Sequence, residues 1–181
     1  MTTITIIITI IAIIAILTMI YIYLYNRLQD YKLKIDEAER ILDENLRDKY
    51  DKVLELQPIV LKMSKVNEKE FTELEETKNE EISNFDLDRK IIQVFNKLNT
   101  IINDYEKIQN KKEVINLLNE IKRLDEKIDS AKLYYNRYIT DSNSMIRKFP
   151  SNIIAKIHNI KIKNFYDNKD LNDDEINDFK L

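Results

Sequence analysis

The sequence predicts an all-α fold: an N-terminal transmembrane helix followed by an elongated antiparallel bundle of three to four long helices. Three observations predict it. Residues 2–26 carry no charged side chain, and most of them are isoleucine, threonine or another apolar residue. Residues 111–149 carry a stripe at Leu117, Ile121, Leu124, Ile128, Ala131, Tyr135, Tyr138, Ser142, Met145 and Phe149, whose steps alternate four and three. That 3.5-residue repeat is the seam of a helix that buries one face against other helices. Finally, the 181 residues include no glycine and only two prolines, which disfavours hairpin-rich and phosphate-loop folds.

The stretch 2–26 is long enough to cross a hydrocarbon core of about 30 Å. Its threonines can bond back to helix carbonyls. The span runs from Ile4 to Leu24, and Tyr21, Tyr23 and Tyr25 stand where an interfacial aromatic belt belongs. A cleaved signal peptide is the alternative, but it would call for a basic n-region and a small-x-small cleavage site. Arg27, Lys32, Lys34 and Arg40 follow the span, and no Lys or Arg precedes it. The positive-inside rule then puts the N-terminus outside and the C-terminal domain in the cytoplasm. The expected division is an anchor at 1–26, a bundle at 27–165 and an acidic polar tail at 166–181, frayed or disordered.

Beyond the span, Tyr31, Ile35, Ala38, Leu42, Leu46, Tyr50, Val53, Leu56, Val60 and Met63 follow helical spacing. Pro58 should kink that helix or break it. Asn67 and Glu70 have the spacing of a capping box, and Phe71, Leu74 and Ile82 continue an amphipathic helix. Asp86 is the expected N-cap of a helix over 86–109. A turn at 110–112 leads into the long helix, which Pro150 stops. Ile153, Ile154, Ile157, Ile160 and Ile162 then predict a short helix over 152–163.

Composition narrows function more than it identifies it. The net charge of −3 argues against nucleic-acid binding. Without cysteine there is neither a disulfide nor thiolate chemistry. His158 stands alone as the only histidine, too few for a zinc site of the usual type, and is expected to be solvated. Paired carboxylates such as Glu75-Glu76 and Glu80-Glu81 read as a solvated helix face rather than an acid–base pair. Asp170, Asp173, Asp174, Glu175 and Asp178 lack the glycine and spacing of an EF-hand. No catalytic residue, cofactor or metal ligand is expected.

One constellation stands out. Tyr135-Asn136 and Ser142-Asn143 lie seven residues apart, on one helix face. Tyr135, Asn136, Asn143, Phe149 and Pro150 form either a polar ledge for a partner or a structural set. In the structural reading, which is the favoured one, Tyr135 is core and the asparagines bond to a neighbouring helix or to the Phe149-Pro150 turn. The 152–163 helix, with Lys156, Lys161 and Lys163, either folds back over the bundle end or lies on an anionic membrane surface.

Residues 131–155 resemble the signature of the LemA family. Tyr135-Asn136-x-x-Ile139-x-x-Ser142-Asn143-x-x-Ile146-x-x-Phe149-Pro150-x-x-x-Ile154-Ala155 follows it, with Ser142 where a second Tyr normally stands. Ala131-Lys132 fits the Ala-Arg before it. Tyr105 through Ile128 fits a further stretch, but Glu106-Lys107-Ile108 replaces Pro-Asp-Leu after the Tyr. Tyr25-Asn26-Arg27-Leu28 and Lys49-Tyr50-Asp51 are similar to two more family segments. The resemblance implies a membrane anchor and a helical bundle exposed on one side, and no defined reaction.

The expected function is therefore a single-pass, membrane-anchored helical scaffold or adaptor with no catalysis of its own. The alternative is an accessory subunit or regulator of a membrane-bound protease or cell-envelope enzyme. The partners expected are the lipid bilayer and unidentified proteins, with self-association through the seam as a further option.

Overall fold

The computed structural model describes residues 2–64, 66, 71, 74 and 82–166. Every element among them is helical: α1 Thr2–Ser64, α2 Asn84–Asp104, α3 Glu106–Gln109, α4 Lys112–Arg147 and α5 Ser151–Ile157. The proposed capping box at Asn67 and Glu70, the acidic pairs at 75–81 and the acidic cluster at 170–178 lie outside the described residues.

The absence of glycine and the abundance of Ile, Leu, Lys and Glu let α1 run unbroken from the apolar stretch into the charged one. Thr9 and Thr18 donate their hydroxyls to the carbonyls of Thr5 (2.9 Å) and Ile14 (2.8 Å). Pro58 lies inside α1 and the helix continues to Ser64, so Pro58 does not break it. A proline removes one backbone hydrogen bond. The buried Val53, Leu56, Val60 and Leu61 pack on both sides of it in sequence and hold the helix together.

The cap of α2 sits three residues before the expected one. Ser83 accepts from the Asp86 N–H (3.2 Å), and its hydroxyl meets the Asp86 carboxylate at 2.6 Å. Asp86 is thus the third helical residue, whose N–H donates to the cap, rather than the cap itself. The expected 86–109 helix is also interrupted. Tyr105 adopts an extended conformation (φ −123°, ψ 99°), and α3 restarts after it. Asn103 and Asp104 are poor helix formers. The Gln109 side chain donates to the Asn103 carbonyl at 2.8 Å across the break.

The chain divides into two compact units. In the unit Ala38–Leu133, three helices each bury a stripe: Leu42, Leu46 and Val53 on α1, Ile91, Val94 and Leu98 on α2, and Ile121 and Ile128 on α4. Each such side chain contributes about 1.5–3 kcal/mol by leaving water. Lys49 pairs with Asp125 (2.5 Å) and Lys52 with Glu120 (3.1 Å), so α1 and α4 run antiparallel here. An exposed pair such as Lys52–Glu120 contributes about 0–1 kcal/mol, so burial holds this unit and the charges set its register.

The other unit is Met1–Glu37 with Tyr134–Leu181. The side chains at 2–23 are exposed, Ile4 and Tyr21 to Tyr23 among them, and Leu24 and Tyr25 are half-buried. Leu28, Ile154 and Ala155 form a small core, with Leu24, Tyr25, Met145, Ile146 and Ile160 packed around it.

Two expectations about its C-terminal part are corrected. The seam of α4 does not extend to Phe149, which is 79% exposed. α4 ends at Arg147, so Phe149 lies in the turn beyond it. Within α4 the buried line runs through Tyr135, Ile139, Ser142 and Asn143. The helix expected over 152–163 ends at Ile157. Asn159 takes a left-handed conformation (φ 51°). The Ile160 N–H reaches the Ala155 carbonyl (2.8 Å) and the Asn159 N–H reaches Lys156 (3.2 Å), which is a Schellman stop. Asparagine is the residue after glycine that best tolerates this conformation, and here it serves a chain without glycine.

Candidate functional site

The Schellman stop turns residues 160–166 off the axis of α5 and lays them along α4. The two Tyr-Asn/Ser-Asn steps receive them. Asn143 Nδ2 donates to the Lys163 carbonyl (2.7 Å), and the Lys163 N–H donates to Asn143 Oδ1 (3.0 Å). One helical repeat earlier, the Tyr166 N–H donates to Asn136 Oδ1 (2.9 Å). The Tyr135 hydroxyl lies between them, 3.4 Å from the Asn164 carbonyl.

The spacing has a geometric cause. Seven helical residues rise about 10.5 Å. Three residues of extended chain cover about 10 Å. Asparagines seven apart on a helix therefore meet residues three apart on an extended segment, and here they meet Lys163 and Tyr166. A side-chain amide has one donor group and one acceptor, so it can pair with a residue as a β-strand neighbour does. Asn143 does so with Lys163 while only 3% exposed. Tyr135, Asn136 and Asn143 share a line of hydrogen bonds to residues 163–166. Their partner is the chain's own segment, rather than a helix or the Phe149-Pro150 turn.

Phe149 and Pro150 stand apart from the ledge. Both are exposed, and the peptide bond between them is cis. The following Ser151 is buried, and its hydroxyl sits against the carbonyls of Met145 (2.5 Å) and Lys148 (2.9 Å), closing the end of α4. Aromatic residues flank the ledge on the same unit. Tyr138 meets Tyr134 edge-on at 4.5 Å and Tyr31 at 6.4 Å, with the Lys34 ammonium 4.9 Å from its ring centre. The neighbouring Tyr138 pushes the Tyr134 phenol above its ordinary pKa. Lys163 also reaches Asp36 at 3.5 Å.

A second constellation lies where the apolar stretch ends. Arg27 donates to the hydroxyls of Tyr31 (3.3 Å) and Tyr23 (3.1 Å), and these bonds raise its pKa further. The Tyr21 hydroxyl is 2.6 Å from His158 Nε2, and the Tyr25 ring stands 4.5 Å from the imidazole. His158 is exposed, as expected, yet it is partnered by two tyrosines rather than only by water.

Sequence reasoning missed Lys163, Asn164 and Tyr166 as the occupants of the ledge, and Asn159 as the residue that sends them there. The signal for Asn159 was available: an asparagine after the last residue of an apolar helical run is a helix-stop pattern. The main-chain bonds of 163–166 carry no sequence signal.

Among the described residues, no three His, Cys, Asp or Glu side chains gather as a metal site. The model of the LemA family matches residues 38–177. No curated protein matches the chain, and no solved structure does.

Proposed function

The chain belongs to the LemA family, and from that premise we propose that it is a single-pass membrane protein whose helical part serves as a non-catalytic scaffold or adaptor at the bilayer. The observation that carries the reading is the first third of α1. It is long and apolar enough to cross a membrane, and it buries none of its apolar window within the chain. Ile4 is 65% exposed, and the other large apolar side chains up to Ile22 are exposed too. A soluble chain that left such a surface in water would forfeit about 25 cal/mol for every Å². Lipid removes that cost. The hydroxyls of Thr9 and Thr18 within the stretch already have helix carbonyls as partners, as a hydrocarbon setting requires.

The cationic flank at Arg27, Lys32, Lys34 and Arg40 supports a cytoplasmic helical part and an external N-terminus in the cell membrane. The adaptor reading rests on exposed apolar side chains that helices of each unit offer to protein partners, such as Leu133 of the unit Ala38–Leu133. A second copy of the chain is one such partner.

Membrane fractionation of the full chain, and of a form lacking residues 2–26, tests the anchor. The full chain should stay in the membrane through an alkaline carbonate wash, and the shortened form should be released. Release of the full chain would refute the anchor. Photo-cross-linking from Leu133 in intact cells tests the adaptor role. A discrete cross-linked species is expected, and its absence in repeated trials would refute that role.

A further inference from the structure

We infer that α5 and the turn before it form a second lipid contact, an interfacial anchor that rests on anionic headgroups beside the span. The inference rests on reading residues 2–26 as that span. About 20 residues of helix rise about 30 Å. A span beginning at Thr2 therefore brings Tyr21 and Tyr25 to the headgroup boundary. His158, directly after α5, is tied to that level by its 2.6 Å contact with Tyr21 and by the Tyr25 ring. Ile154 and Ala155 fix α5 there from the inner side, against Leu28 and Leu24.

The outer side of α5 has no such cover. Ile153 is 51% exposed and Ile157 66%, four residues apart and so on one face. Phe149, 79% exposed, belongs to the turn that leads into it. Lys148, Lys156 and Lys161 are exposed around these side chains, and no acidic residue lies between 142 and 166. Apolar side chains ringed by lysines at the depth of a tyrosine belt fit the boundary of an anionic leaflet. There the apolar groups enter the acyl edge and the negative surface potential attracts the nearby lysines. Folding back and lying on the membrane are thus not alternatives: one face of α5 does the first and the other face the second.

Single cysteines test this in the full chain, which has none of its own. Ile157→Cys, Phe149→Cys, Ile11→Cys and Lys127→Cys each receive an environment-sensitive fluorophore in vesicles of phosphatidylcholine and phosphatidylglycerol. Quenching by lipids with a nitroxide at the headgroup or deep in the acyl chain reports depth. Labels at 157 and 149 should be quenched several-fold more by the shallow nitroxide than the label at 127. The label at 11 should be quenched by the deep one. If Ile11 lies deep and either 149 or 157 behaves like 127, the interfacial anchor is refuted and the span stands. If Ile11 is itself unquenched, the span fails and the inference fails with it. Lys156→Glu with Lys161→Glu should weaken shallow quenching at 157 and leave Ile11 unchanged; undiminished quenching at 157 would refute the role of anionic headgroups.

Discussion

Asn143 holds Lys163 by both halves of its side-chain amide, donating to the carbonyl at 2.7 Å and accepting from the N–H at 3.0 Å. This pair fixes the extended segment after α5 to α4. It explains why an asparagine lies buried in a helix whose buried line is mostly apolar or aromatic. Removing a buried partner leaves the other side unsatisfied, at about 1–3 kcal/mol. Asn143→Leu should therefore cost about that much in urea unfolding and speed amide exchange at Lys163. Asn136 is half-buried and accepts one bond, from Tyr166, so Asn136→Leu should cost less. Equal losses from the two variants would contradict the assignment.

Asn159 supplies the second prediction. Its φ of 51° is a conformation in which a Cβ costs about 1–2 kcal/mol for most residues. Asn159→Gly should leave stability within a few tenths of a kcal/mol or raise it, and Asn159→Val should lower it by about 1 kcal/mol or more. Thermal melting of both variants checks the order. A valine variant as stable as the glycine one would show that the stop does not depend on this residue.

The ion pair of Asp88 and Lys132 supplies the third. Asp88 is buried, Lys132 Nζ lies 2.5 Å from its Oδ2, and its Oδ1 has no hydrogen-bond partner. Removing one member of a buried pair costs about 3–5 kcal/mol, because the other charge remains. Lys132 keeps some contact with solvent, so Lys132→Met should fall at the low end of that range. Adding Asp88→Leu should recover most of the loss. A double variant no more stable than Lys132→Met would mean that the unpaired carboxylate is not what destabilises.

The fourth concerns alkaline pH. Hydrogen bonds to Glu120 and then Glu55 hold the Lys52 ammonium above its ordinary pKa of 10.5. A lysine whose folded pKa is raised contributes stability that is fully present below its unfolded pKa and is lost as pH rises through the folded value. Melting temperatures of the parent and of Glu120→Gln should differ slightly at neutral pH and converge only as pH rises through the folded pKa of Lys52. The pair is exposed, so the difference should shrink with salt. A gap that widens with rising pH would contradict the sign.

Much of the helical architecture was legible because burial follows period. Ile91, Val94, Leu98 and Ile102 are spaced three or four residues apart and all are buried. The long stripe was legible through Ser142 and Met145, and it fails only at Phe149, which lies past the end of the helix at Arg147. Boundaries set by one backbone conformation were less visible. Tyr105 leaves the helix without a proline to mark it, although the sequences it resembles carry one directly after that tyrosine. Ser83 and Asp86 both suit a cap, and only the direction of the bond decides between them. The site was half legible: spacing put the two asparagines on one face, but their partners are main-chain groups of residues 163 and 166.

Cysteine accessibility from outside the cell tests the central claim most directly. Lys127→Cys places a single reporter on an exposed position of α4 in a chain with no other cysteine. Intact cells are treated with a membrane-impermeant maleimide, and the membrane fraction is then examined. A bundle anchored by residues 2–26 on the cytoplasmic side predicts protection in intact cells and labelling after lysis. Labelling in intact cells would contradict that placement.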